Sequence, residues 1–261
     1  MKIQVLQYEV VLSDFEANQQ KIIQLMQQVD EDTDIVVIPE MWNTGYALKT
    51  LDQYADEDIK KSYAFIAQLA KEKHVNIIAG SVSNKKDSAI YNTGFAVDRN
   101  GQLLHQTDKV HLVPMLDEHL YLKGASSLPH AFELMDTKMG QVICYDLRFP
   151  EVIRQPIKEG AEIIFVVAQW TSKHAVHWSK LLQARAIENS CFVIGCNAVG
   201  PIESLQGATY CGESAVVNPY GEVIAALDDQ EGILTVNIDF NEVGMQRQTV
   251  PVIDNMRRDL Y

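Results

Sequence analysis

Short apolar runs alternate along the chain with segments whose apolar positions recur at helical spacing. IQVLQ at 3–7 alternates like a half-buried strand, and Phe15, Ile22, Ile23, Leu25, Met26 and Val29 then mark one face of a helix. DIVVIPE (34–40) predicts a buried strand ending on Glu40, 59–70 a helix, and VNIIAG (75–80) the next strand. AIYNTGFAVDRNGQLLHQ (89–106) reads as a hairpin turning at Asn100-Gly101, and AFEL with QVICYD as a second strand pair. EVIRQPIKEG, EIIFVVAQW, a helix near 176–188 and CFVIGCN repeat the helix–strand rhythm. A hairpin about Asn218 to Gly221 and the strand GILTVNI close it. Several strands are hairpin-joined, so a purely parallel doubly wound sheet fits poorly. Sheets packed face to face with helices outside, in a single α/β domain over 1–261, fit better.

Composition narrows the function. With 261 residues, 47% apolar and 22% charged, the chain can bury a large core unaided by disulfides. Its net charge of −13 disfavours nucleic acid and anionic membrane surfaces as partners. The longest apolar run, Ile163 to Ala168, falls far short of the ~18 residues of a membrane span. Gln4, Gln7 and Glu9 interrupt the opening stretch, unlike a signal peptide. Four cysteines without CxxC spacing predict reduced thiols, and the expected location is cytoplasmic.

Three polar residues end strand-like runs: Glu40 after DIVVIP, Lys109 after LLHQTD, and Cys144 after GQVI. A strand end holds a side chain rigidly while the adjoining loop leaves it accessible. Singly, each has a plainer reading: a cysteine in such a context is more often a small core residue, a glutamate or lysine a solvated one. In a strand-to-helix turn, however, the helix dipole would lower the Cys144 thiol pKa, and the Tyr145 N–H would face an oxyanion formed by that sulfur.

The surrounding segments turn the balance. VVIPEMWNTGY, DKVHLVPMLDEHLYLKG and GQVICYDLRFPE resemble, in order and spacing, the three signature segments of the nitrilase superfamily of carbon–nitrogen hydrolases. The resemblance weakens only after about residue 240, where a C-terminal extension is expected. It implies a four-layer αββα sandwich that forms a homodimer, and amide or nitrile hydrolysis through a cysteine thioester with no metal or organic cofactor. The implied Glu–Lys–Cys triad falls on Glu40, Lys109 and Cys144, with a second glutamate at Glu118. Ala184-Arg185-Ala186 with Glu188-Asn189 resembles a helix that supports the site and packs at the dimer interface.

CYDLRFP with MLDEHLY looks like the ω-amidase branch, which hydrolyses the terminal amide of α-keto acids such as 2-oxoglutaramate. Alternatives are an amidase of N-carbamoyl amino acids or of deaminated glutathione, and a non-catalytic binding subunit on the same fold. Arg148 either binds a substrate carboxylate or makes a structural ion pair. Trp42, Tyr46 and Trp170 are candidate pocket walls. His111, His119, His174 and His177 lack the spacing of a metal site, and Cys191, Cys196 and Cys211 read as core thiols. No GxSxG, P-loop or GxGxxG is present.

Overall fold

Side-chain alternation in the strand at 35–37 and just beyond sets the layering. Ile35 and Val37 point to one face, Val36 and Ile38 to the other, and each pair is buried in a different core. The computed structural model describes residues 1–202, 207–257 and 259–260. Its first part contains β1 (Lys2–Gln7), α1 (Phe15–Met26), β2 (Ile35–Val37), α2 (Leu51–Tyr54), β3 (Asp56–Glu57), α3 (Lys60–Lys73), β4 (Asn76–Lys86), β5 (Ala89–Val97) and β6 (Leu103–Asp108). Then come β7 (Phe132–Leu134), β8 (Thr137–Ile143), α4 (Pro150–Lys158), β9 (Ile163–Ala168) and α5 (Ala175–Asn189). The chain ends with β10 (Phe192–Asn197), β11 (Ala215–Val217), β12 (Val223–Ala226), β13 (Gly232–Asn237) and α6 (Asn241–Thr249).

The strands form two mixed sheets. A seven-stranded sheet runs β13-β1-β2-β4-β5-β6 with β3 beside β4, and a six-stranded sheet runs β12-β11-β10-β9-β8-β7. Each has a parallel centre, β1-β2-β4 in one and β8-β9-β10 in the other, flanked by antiparallel strands. Ile3, Val5, Ile35, Val37 and Ile78 meet the second sheet, where Val142, Ile164 and Ile194 belong to the same core. Ile22 and Met26 of α1 with Ile66 and Ala70 of α3 cover the first sheet's other face, and Trp178 and Leu182 of α5 pack on the second. The result is an αββα sandwich. Each fully buried Ile or Val contributes about 1.5–3 kcal/mol, so doubling the sheets gives a core large enough without covalent staples.

Both predicted hairpins form. Gly101 and Gly221, at φ 78° and 88°, make the left-handed turns between their strands. Two strand boundaries differ from the sequence pattern, and both differences shape the site. The run 34–40 leaves the sheet after Val37, because Pro39 has no N–H to pair. The next strand does not stop at Gly80 but continues to Lys86 through a register shift between Ile78 and Ser81. Gly80 is a bulge at φ 56°, and a Cβ there would overlap the Ile38 and Pro39 carbonyl oxygens. This close approach locks the turn carrying Glu40 onto β4, where Met41 N–H donates to Ser81 Oγ (3.0 Å) and Trp42 N–H to Ser81 O (3.0 Å).

Beyond Asn237 the chain docks through α6. Val243 is buried, and Arg247 donates to the carbonyls of Ser190 (3.2 Å) and Ala161 (2.6 Å). Among the described residues, no helix is long and apolar enough to cross a membrane.

Candidate active site

Three segments distant in sequence bring Glu40, Lys109 with Glu118, and Cys144 together at one end of the sandwich. The first three are fully buried and Cys144 is nearly so, at 5% exposure. Lys109 Nζ donates to Glu40 Oε1 (3.0 Å), Glu118 Oε1 (2.9 Å) and Tyr46 Oη (3.0 Å), using all three ammonium hydrogens. Glu40 Oε1 also accepts from Tyr46 Oη (2.7 Å) and Asn92 Nδ2 (2.8 Å), while Oε2 accepts the Gln169 N–H (2.7 Å). Glu118 Oε2 accepts the Val113 N–H at 2.8 Å. Every buried charge is thus paired or hydrogen-bonded, as its loss of water demands.

Cys144 follows β8 directly and adopts φ 49°, the left-handed region that a β-substituted residue enters only at a cost. The sharp turn ends the strand three residues short of the end of the predicted QVICYD and starts a short 3-10 helix, Cys144–Arg148. It points the sulfur into a cavity of about 270 Å³ whose lining includes Tyr46, Tyr145, Arg148, Gln169, Trp170 and Lys173. The Tyr145 N–H lies in the first turn of that helix, where no preceding helical carbonyl is available to it.

Charge state departs from the sequence reading. The Cys144 thiol is pushed well above its usual range, first by burial and then by the Glu40 carboxylate; Lys109 opposes this without prevailing. The helix dipole does not make a standing thiolate here, because α4 begins only at Pro150 and the turn between is 3-10. A neutral thiol beside an acceptor carboxylate is the resting arrangement. Burial works against the Lys109 charge, but Glu118 and Glu40 outweigh it and hold the ammonium well above its usual range.

A model of the carbon–nitrogen hydrolase family matches residues 2–248. The chain belongs to that family. It is 46% identical to "Hydrolase in agr operon" of Staphylococcus aureus over 264 residues, covering 100% of both chains. It is 39% identical to a 2-oxoglutaramate amidase of Bacillus subtilis, covering 99% of this chain and 98% of the relative. Among solved structures, XC1258 from Xanthomonas campestris, a CN-hydrolase superfamily protein with an arsenic adduct in its active site, superposes with a TM-score of 0.89. That match has 27% identity and covers 98% of this chain and 97% of the other. The protein is therefore an amidohydrolase, acting on carbon–nitrogen bonds other than peptide bonds.

Within this carbon–nitrogen hydrolase, the candidate residues divide by position. Tyr46, Tyr145, Arg148 and Trp170 line the Cys144 cavity. Trp42 does not: it is fully buried behind the Glu40 turn, stacked on Phe15 at 5.8 Å and donating to Ala79 O (2.9 Å). It follows a strand end, but its side chain faces the helical layer. Arg185 is buried, and its Nε donates to Leu147 O (3.0 Å), bracing the nucleophile turn from α5. The remaining thiols, Cys191, Cys196 and Cys211, are buried in the core. No group of three His, Cys, Asp or Glu fit to hold a metal occurs among the described residues.

Two further residues bear on the site, Asn92 and Gln169. Asn92 sits within β5, where nothing separates it from an ordinary strand position. Gln169 follows the apolar run Ile163–Ala168, so the strand-end criterion that finds Glu40 applies to it equally. Its N–H and its side-chain amide both bond Glu40, the latter at the backbone oxygen (2.7 Å).

Proposed function

We propose that the chain hydrolyses the terminal carboxamide of a small dicarboxylate monoamide, of the 2-oxoglutaramate or 2-oxosuccinamate type, through a cysteine thioester. The observation that carries this reading is a guanidinium in the same cavity as the nucleophile. Arg148 lies with Cζ 4.4 Å from the Trp170 ring centre and Nη1 3.3 Å from His177 Nδ1, while its Nε is buried without a partner. A buried donor left open is costly, and a carboxylate would satisfy it. Lys173 adds a second positive charge to the lining. At about 270 Å³ the cavity lies just below the ~300–1,000 Å³ of most ligand sites, and so suits an acid of a few carbons. The similarity to a 2-oxoglutaramate amidase supports the same substrate class.

In this reading the substrate carboxylate rests on Arg148 and its amide carbon faces Cys144. Glu40 takes the thiol proton as sulfur bonds to the carbonyl carbon. The oxyanion of the tetrahedral intermediate is stabilised by Lys109 and the Tyr145 N–H. Glu40 then gives its proton to the nitrogen, the C–N bond breaks, and ammonia leaves. Water, deprotonated by Glu40, attacks the thioester; the C–S bond breaks, and the proton returns to sulfur. Glu118 holds Lys109 in place. The scheme uses no metal or organic cofactor.

The test is ammonia release from 2-oxoglutaramate, with Cys144→Ala as control. Arg148→Met is expected to raise KM about 10–100-fold with a smaller change in kcat, the loss of a charged hydrogen bond. No release above the control rejects the substrate, and an unchanged KM rejects the role of Arg148.

One observation favours a second reading. A further cavity of about 410 Å³ shares Tyr46, Leu116 and Thr171 with the first and is lined by Leu12, Leu48 and Ile202. Such space would hold a leaving group larger than ammonia, as in a deaminated-glutathione-type amide. Comparing kcat/KM for that substrate, an N-carbamoyl amino acid and 2-oxoglutaramate decides between them.

We also propose that a second copy of the chain covers one face of α5. Val176 (71% exposed) and Ile187 (53%) share a helical face, and Ile187 packs over Gly221 next to exposed Tyr220, Val223 and Ile224. Sedimentation equilibrium is expected to give twice the chain mass, falling to the monomer in Ile187→Glu. A monomeric parent would overturn it.

A further inference from the structure

The active site needs two independent chain segments aligned: the loop leaving β6 with Lys109, and the turn leaving β8 with Cys144. Asp146 joins them. It lies two residues beyond the nucleophile and is 1% exposed. Its Oδ2 accepts the Val110 N–H (3.1 Å), and its Oδ1 accepts the His111 N–H (2.8 Å) and lies 2.9 Å from His111 Nδ1. Phe149, whose N–H donates to Asp146 O (3.0 Å), stacks on the His111 ring at 3.5 Å and 8°. The nucleophile turn therefore grips the two residues that follow the lysine.

We propose that Asp146 is a positioning residue that sets Lys109 against Cys144 for the oxyanion-forming step, an inference that rests on the amidohydrolase reading of the site. On its other side Lys109 is held by its N–H, which donates to Asn92 O (2.8 Å), and Asn92 in turn donates to Glu40. The lysine is strung between the segment that holds the base and the turn that holds the nucleophile. The chemistry of the clamp requires a carboxylate. Two successive N–H groups each take one oxygen, whereas an asparagine would turn its NH₂ toward one of them.

Arg148 has its own anchors in Trp170 and His177, and Leu147 O is held by Arg185, so loosening Asp146 leaves carboxylate binding in place. The step that suffers is the one in which Lys109 must meet a developing charge at fixed distance from sulfur.

The experiment compares the parent, Asp146→Asn and His111→Ala by thermal melting, by kcat and KM for 2-oxoglutaramate, and by the pH profile of Cys144 alkylation with iodoacetamide. In Asp146→Asn kcat is expected to fall about 10²-fold with KM within about threefold, the signature of a displaced catalytic group rather than a lost binding contact. The alkylation midpoint is expected to move upward by about half a pH unit or more, as Lys109 draws away from the thiol. His111→Ala, which removes the ring contact and keeps both N–H bonds, is expected to lower kcat about three- to tenfold and provides the test if Asp146→Asn does not fold. A kcat within about threefold of the parent in Asp146→Asn, or in His111→Ala when that alone folds, overturns the proposal, as does a loss matching the unfolded fraction. If the parent itself releases no ammonia, the substrate reading fails, and the alkylation midpoint alone decides the role of Asp146.

Discussion

Exchanging Glu40 for glutamine is expected to lower kcat for amide hydrolysis by about 10³-fold or more while making Cys144 ionise at lower pH. The two effects have one origin. The Glu40 carboxylate is the acceptor of the thiol proton and the donor to the leaving nitrogen, so a neutral amide stops both transfers. The same carboxylate, as a negative charge beside the sulfur, is one of the causes holding the thiol above its usual range. With that charge gone and Lys109 retained, the thiolate is less disfavoured. The sign follows directly: the opponent of ionisation is removed and its supporter stays, so the alkylation midpoint moves down.

Two measurements read the dissociation: ammonia release by the variant, and the pH dependence of Cys144 alkylation by mass spectrometry. Glutamine can keep its oxygen toward Tyr46, Asn92 and Lys109, but it loses the acceptor now facing the Gln169 N–H. A melting decrease worth about 1–3 kcal/mol is the accompanying cost. Retained hydrolysis would remove Glu40 from proton transfer. An upward shift of the midpoint would mean that the carboxylate stabilises the thiolate rather than accepting its proton.

How much of this site the sequence discloses depends on the kind of signal each residue leaves. Glu40, Lys109 and Cys144 each close a strand-like run, and the fold does bring them into one place. The helix–strand rhythm and the two glycine turns likewise disclose the sandwich. Asn92 leaves no such mark, since a polar residue on a strand next to a buried carboxylate looks like any outward-facing one until the sheet is assembled. Trp42 shows the converse. A residue after a strand end has two faces to choose from, and this one lies against Phe15 with its indole N–H on Ala79 O. The thiol's charge state was not legible either, because the helix dipole is a local property while burial and the Glu40 charge are set by segments far along the chain. Local rules predicted a thiolate; tertiary desolvation decided otherwise.

Replacement of Lys109 by methionine is expected to abolish hydrolysis and also to destabilise the fold, and a second substitution separates the two losses. Lys109 lies between two buried carboxylates, at 3.0 Å from Glu40 and 2.9 Å from Glu118. Methionine matches its length but leaves two like charges facing each other without water. Breaking a buried pair in this way costs about 3–5 kcal/mol. Adding Glu118→Gln removes one of the opposed charges and is expected to restore more than about half of the lost stability, a coupling visible only in the double variant. Activity does not return, because the positive charge that stabilises the oxyanion is still missing, and kcat stays about 10³-fold below the parent. Thermal melts and single-turnover assays on Lys109→Met, Glu118→Gln and the double variant read both quantities. Equal destabilisation in Lys109→Met and the double variant would mean that Glu118 does not oppose Glu40 once the lysine is gone, and recovery of hydrolysis in the double variant would remove Lys109 from the chemistry.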